Sequence, residues 1–233
     1  MFGEFAKYQV LPLDATASPR FVYPRPSLAA GRKVFTYSGG VDAAIPNGTQ
    51  PNLMNTSYTI TADIDVPQGG ANGMLMNLGG RYGGYGLYLL QGKPVFLYNL
   101  GGVERTRWEG PQALPPGKHT IVFDYKYDGL GFATLAFNNL SGIGRGGSGT
   151  LSVDGKVVAT QKMAHSTPLV YNLDDTFNIG TSSETPLDDH DYKVPFPFTG
   201  KVDKLTIAVE EPKLTPEDIK KLQAGYRAKA AAD

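Results

Sequence analysis

Tyr58-Thr59-Ile60-Thr61-Ala62-Asp63-Ile64-Asp65-Val66 alternates without a break. Successive side chains of a strand point to opposite sides, so Tyr58, Ile60, Ala62, Ile64 and Val66 share one face and Thr59, Thr61, Asp63 and Asp65 the other. That is the signature of a half-buried antiparallel strand, and Pro67, which offers no amide to a ladder, ends it. The run from His119 to Tyr127 repeats the pattern with Ile121, Phe123, Tyr125 and Tyr127 inward, and Asp128-Gly129 closes it with a turn pair. Leu151 to Ala159 reads as a hairpin about Asp154-Gly155, a pair that tolerates the positive φ angles of a type I′ turn. Near the end, Leu205, Ile207 and Val209 alternate with Lys204, Thr206 and Ala208. Shorter runs at Val34–Tyr37, Met74–Leu78, Gly86–Leu90, Val95–Leu100, Glu104–Trp108 and Phe177–Ile179 raise the expectation to about ten strands, the spacing of an all-β sandwich or barrel.

Composition agrees with that reading. The chain has 233 residues with 29 glycines, 17 prolines and no cysteine. It is long enough for one large β domain that buries roughly 70–75% of its unfolded surface without a disulfide or metal staple. The missing cysteines exclude thiol nucleophiles, thiolate zinc sites and iron–sulfur clusters. Lys and Arg total 22 against 22 Asp and Glu, so the basic surplus of a general nucleic-acid binder is absent and no such partner is expected. His119, His165 and His190 are too scattered for a histidine-rich metal centre. No run of about eighteen apolar residues suggests a membrane span. Met1-Phe2-Gly3-Glu4-Phe5 has no basic region leading into an apolar core and does not read as a signal peptide.

One helix stands out. Thr215-Pro216-Glu217-Asp218 supplies an N-cap hydroxyl, proline at N1 and acids in the first turn, followed by the stripe Ile219, Leu222 and Tyr226. A weaker helical turn is suggested at Glu4 to Tyr8. The expected division is an extension or linker over 1–30, a sandwich over 31–211 and a C-terminal helix over 212–233.

Catalytic patterns are thin. The glutamates (Glu4, Glu104, Glu109, Glu184, Glu210, Glu211 and Glu217) lack the paired spacing that a β-sandwich glycosidase would present on one strand. Asp63 and Asp65 share a face, but among threonines on a side that reads as solvated. The run Gly142–Gly149 matches neither a nucleophile elbow nor a phosphate loop, since no helix follows it, and reads as a mobile loop. Asp174, Asp175, Asp188, Asp189 and Asp191 form an oxygen-rich cluster of the kind that can hold calcium, but the spacing matches no EF-hand and solvated loop acids are commoner. No metal or other cofactor is assigned.

The segment with most texture is Arg81-Tyr82-Gly83-Gly84-Tyr85, then Glu104-Arg105-Thr106-Arg107-Trp108-Glu109. Arg105 and Arg107 project together from one face of a strand and Thr106 and Trp108 from the other. Forked guanidinium groups suit carboxylate, sulfate or phosphate, and an aromatic platform suits the apolar face of a sugar. Arg81, Tyr82, Tyr85, Arg105, Arg107 and Trp108 are therefore the candidate ligand-binding residues. The competing arrangement packs Trp108 in the core and pairs the arginines with nearby acids.

The stretch from Arg81 to Leu100 resembles the C-terminal region of a family of bacterial arylsulfatases. So do Arg107-Trp108-Glu109-Gly110-Pro111, the runs Pro116 to Gly129, Gly149 to Ala159 and Pro186 to Pro195, the strand Phe198 to Ile207, and Lys7 to Asp14. The resemblance implies a jelly-roll sandwich like that of concanavalin-type lectins, joined in full-length members to an α/β sulfatase domain in a periplasmic or secreted enzyme. Those enzymes use a formylglycine made from a Cys/Ser-x-Pro-x-Arg motif beside a divalent metal. This chain has no cysteine, and Ser18-Pro19-Arg20 lacks the spacing, so no catalytic residue carries over. The leading expectation is a non-catalytic accessory domain packing on a sulfatase catalytic domain and contacting sulfated substrate. The alternative is a free-standing lectin-like module for sulfated or acidic carbohydrate, and a hydrolase with an unrecognised carboxylate pair is a third.

Overall fold

In the computed structural model, residues 29, 31–38, 43–46, 49–129, 144–168, 176–210, 216, 217, 220 and 224 are described. Among them twelve strands run in chain order: β1 (Val34–Ser38), β2 (Ala43–Ile45), β3 (Tyr58–Val66), β4 (Gly73–Gly80), β5 (Gly83–Leu90), β6 (Lys93–Leu100), β7 (Glu104–Glu109), β8 (Gly117–Tyr127), β9 (Arg145–Val153), β10 (Lys156–His165), β11 (Phe177–Ile179) and β12 (Lys201–Val209). They form two six-stranded antiparallel sheets. The first is ordered β1-β12-β3-β8-β9-β10 and the second β2-β11-β4-β5-β6-β7. The fold is an all-β sandwich of two antiparallel sheets. Pro216, Glu217, Lys220 and Ala224 are helical, where the C-terminal helix is expected; the rest of that helix and the suggested turn at Glu4 to Tyr8 lie outside the described residues. No helix among the described residues is long and apolar enough to cross a membrane.

The core lies between the inner faces. On β3 the five alternating apolar residues are buried and the four polar ones half-buried, as the sequence dictates. Phe96 on β6 and Phe123 on β8 stack across the sandwich at 3.6 Å between ring centroids, and Trp108 on β7 meets Phe123 edge-on at 5.0 Å. Aromatic contacts of this kind add about 1 kcal/mol beyond the area they bury. The Asp154-Gly155 hairpin forms as expected, with φ of 50° and 77° at its two turn residues.

Two local readings change. The described part of the glycine run, Gly144 to Gly149, is not a mobile loop, because β9 begins at Arg145. The reason is steric: a Cβ at Gly149 would sit 2.6 Å from the Trp108 ring, so the glycine lets the indole lie against the strand. β12 starts at Lys201, earlier than its alternation suggests, since a bulge between Val202 and Lys204 breaks the period of two.

The two sheets differ in what covers their outer faces. β4 is buried at every position and β5 at all but its last. The second faces of β4, β5 and β6 carry a separate apolar cluster: Met74, Tyr88, Val95 and Leu97 from the strands, with Leu187, Tyr192 and Phe196 from the segment between β11 and β12. That segment is folded back on itself by Phe196 N donating to Ser182 O and Phe198 N to Gly180 O, and is tied to β4 by Met74 N donating to Phe196 O and Gly180 N to Leu75 O. Strands covered on both faces read as continuous apolar runs, which is why neither β4 nor β5 alternates in sequence.

Candidate functional site

The tips of the second sheet are organised by one buried side chain, Asn99 on β6. Its amide nitrogen donates to Gly80 O (2.7 Å), Arg81 O (3.0 Å) and Leu187 O (3.2 Å), while its carbonyl accepts from Gly102 N (2.9 Å). The β4–β5 turn, the β6–β7 turn and the 186–192 segment are thereby fixed side by side. The bonds to Gly80 O and Leu187 O are buried, and losing them would leave those carbonyls unpaired, so the arrangement is costly to distort. Gly86 makes room beneath it, since a Cβ there would lie 2.6 Å from the Leu187 side chain.

All three candidate arginines meet acids of that segment. Arg81 forms a two-bond pair with Asp189, Nε to Oδ2 at 2.8 Å and Nη2 to Oδ1 at 2.5 Å. Arg105 donates from Nε to Leu187 O at 3.0 Å and lies 3.7 Å from Asp188. Arg107 donates to Glu109 at 2.8 Å and to Asp191 at 2.5 Å. Asp191 also accepts from the Tyr88 hydroxyl. Pairing with Arg81 holds the Asp189 carboxyl below its usual range. Burial works against the Asp188 charge, but the His190 amide and ring together with Arg105 outweigh it and lower its pKa. Tyr88 is pushed well up by burial first and by Asp191 second, so it stays a neutral donor.

The six sequence-predicted residues therefore divide. Arg81, Arg105 and Arg107 converge on one rim. Tyr82 stands at the β4–β5 tip, next to Arg81 in the chain, with 69% of its surface exposed. Val103, on the neighbouring tip, is exposed as well. Tyr85 and Trp108 are in the core, and the Trp108 indole donates to Gly149 O at 2.9 Å. Neither ring offers a face to a ligand, because β5 and β7 point these positions at the first sheet. Asn99 went unnoticed in sequence; its only signal is an amide within the apolar run Val95 to Leu100.

The loop acids proposed for calcium are used otherwise. Asp188, Asp189 and Asp191 face the arginines, and Asp174 and Asp175 lie outside the described residues. Among the described residues no group of three or more His, Asp or Glu is placed to hold a metal ion.

A second polar region lies on the outer face of the first sheet. Thr36, Thr206, Thr61, Val122 and Ser152 stand in one cross-strand row. At its edge a shallow pocket is lined by Asp63, Lys118, His119, Thr120, Asp154 and Asp203. Its groups are largely paired with one another: Thr120 donates to Asp63 at 2.8 Å, and both His119 ring nitrogens face acceptors, Asp154 at 2.7 Å and Pro115 O at 2.8 Å. Asp63 and Asp65 sit on this side, as their alternation requires.

No protein-family model matches the chain, and no curated protein matches it. Among solved structures it is similar to the CBM40 of the Ruminococcus gnavus IT-sialidase bound to α2,3 sialyllactose, at 12% identity over 82% of this chain and 98% of that one, with a TM-score of 0.49. A leech intramolecular trans-sialidase complexed with 2,7-anhydro-Neu5Ac is similar at 15% identity over 83% of this chain and 27% of that one, TM-score 0.46. The mouse laminin α1 chain, domains LG4-5, follows at 14% identity, 83% and 46% coverage and a TM-score of 0.44. Likeness at this level speaks to architecture alone.

Proposed function

We propose that the chain is a non-catalytic, lectin-like module that binds carbohydrate at the rim formed by the β4–β5 tip, the β6–β7 tip and the 186–192 segment. The observation that carries this reading is the exposed Tyr82 ring beside the Arg81–Asp189 pair, on a tip that Asn99 holds rigid. A sugar offers an apolar face to stack on an aromatic ring and hydroxyls to pair with fixed donors and acceptors around it. Arg81, Asp189, Arg105 and the exposed His190 supply such groups. The requirement for pre-set geometry is met by loops anchored on a sheet.

The arylsulfatase resemblance supports a narrower version, in which this module is carried beside a sulfatase catalytic domain and contacts its sulfated substrate. Calorimetric titration of the purified chain with a panel of neutral and sulfated oligosaccharides tests the reading. Binding is expected for at least one of them, and Tyr82→Ala is expected to weaken it about ten-fold or more, in line with the worth of a stacked ring. Sulfate-ester turnover by this chain alone would overturn the non-catalytic part.

A further inference from the structure

We infer that Asp189 sets the charge of the ligand this rim accepts, by occupying the Arg81 fork with a carboxylate of the chain itself. The inference rests on the carbohydrate-binding reading of the same rim. The side-on contact of Nε and Nη2 with both Asp189 oxygens is the geometry in which a planar oxyanion of a ligand would be held. A carboxylate or sulfate arriving from solution must displace it, in competition with a group tethered at high effective concentration.

Of the three acid partners in the 186–192 segment, only Asp189 is placed for such an exchange. Its side chain is 48% exposed, against 20% for Asp188 and 11% for Asp191. Asp191 is further held by Tyr88, and Asp188 by the His190 amide. Those two acids fasten the segment to the sheet, whereas Asp189 faces solvent with lone pairs to spare. Uncharged sugar hydroxyls can donate to those lone pairs without breaking the pair. The wild-type rim therefore favours uncharged saccharide, and a sulfated or carboxylated one binds through its hydroxyls or by displacing Asp189 from the fork.

The test titrates wild type, Asp189→Asn and Asp189→Asn/Arg81→Gln with sodium sulfate and, separately, sodium acetate at constant ionic strength. The readout is the Arg81 Nε–Hε resonance where present and the Tyr82 and Gly102 amide resonances throughout. Asp189→Asn is expected to bind sulfate and acetate about five-fold or more tighter than wild type, and the added Arg81→Gln to abolish the gain. An equal response of wild type and Asp189→Asn, or a gain that survives Arg81→Gln, overturns the inference. Both residues are exposed, and unchanged backbone spectra outside the rim verify the fold of each variant. A gain in anion binding with no saccharide bound by either protein would sink the carbohydrate reading while leaving the fork assignment standing. Saccharide binding without that gain would do the reverse.

Discussion

The outer faces of the two sheets are built from the same kind of ladder yet are put to opposite uses. On the second sheet, Leu187, Tyr192 and Phe196 close over Met74, Tyr88, Val95 and Leu97, so the ladder itself has no room for a ligand and its polar chemistry is displaced to the rim. On the first sheet, threonines, serines and paired charges lie half-buried to exposed with no second apolar layer over them among the described residues, and there is no aromatic ring in the threonine row. An open polar face satisfied by its own neighbours gains little from a sugar, because each new hydrogen bond replaces an existing one or a bond to water. The covered face, by contrast, can hold its rim groups in fixed positions. Rigidity at the tips thus comes from burial behind them.

Breaking the cover should have the largest effect. Phe196→Ala, which removes a ring stacked on Tyr192 at 4.4 Å, is expected to cost about 3 kcal/mol in urea or thermal unfolding. It should also loosen the rim, raising amide exchange at 186–192. A loss below about 1 kcal/mol would mean that the segment is not fastened by its apolar cluster.

A pH effect belongs to the first sheet. Burial opposes the charge on His119, but Asp154 and the Pro115 carbonyl overcome it and raise its pKa above the ordinary 6.5. Its contribution to stability is full below 6.5 and lost as pH rises through the folded value. Burial likewise opposes ionisation of Asp154, yet the Thr120 amide and His119 lower its pKa below 3.8. That contribution is present above 3.8 and lost as pH falls through its folded value. The pair is therefore most stabilising between about pH 4 and 6.5. Unfolding midpoints of wild type should decline above pH 6.5 relative to those of His119→Asn, and parallel profiles would contradict the pairing.

The smallest effect is expected at Thr61→Ala, in the middle of the open face. A change within about 0.5 kcal/mol in the same unfolding assay, with saccharide affinity unaltered, would sharpen the contrast with Phe196.

These two faces were unequally legible in the sequence. β3 and β8 could be read residue by residue because only one side of each is covered, so hydrophobicity alternates. β4 and β5 lacked that period because Leu187 and Phe196, a hundred residues on, cover their second side. Pairing of the arginines with acids was legible as the competing arrangement, but which acids was not, since Asp188, Asp189 and Asp191 lie more than eighty residues away and no local spacing records the pairing. Alternation correctly set Trp108 opposite Arg105 and Arg107. Which of the two faces turned inward depended on the first sheet and on Gly149, and so Trp108 and Tyr85 went to the core while Tyr82 alone kept an exposed ring.

The most direct test of the account is a map of backbone amide shifts on adding the saccharide that titration selects. Binding at the rim predicts changes concentrated at Arg81, Tyr82, Gly102, Val103, Arg105 and residues 187–190, lost in Tyr82→Ala. Changes concentrated instead at Thr59, Thr61, Asp63, Thr120 and Asp154 would move the site to the open face and contradict it.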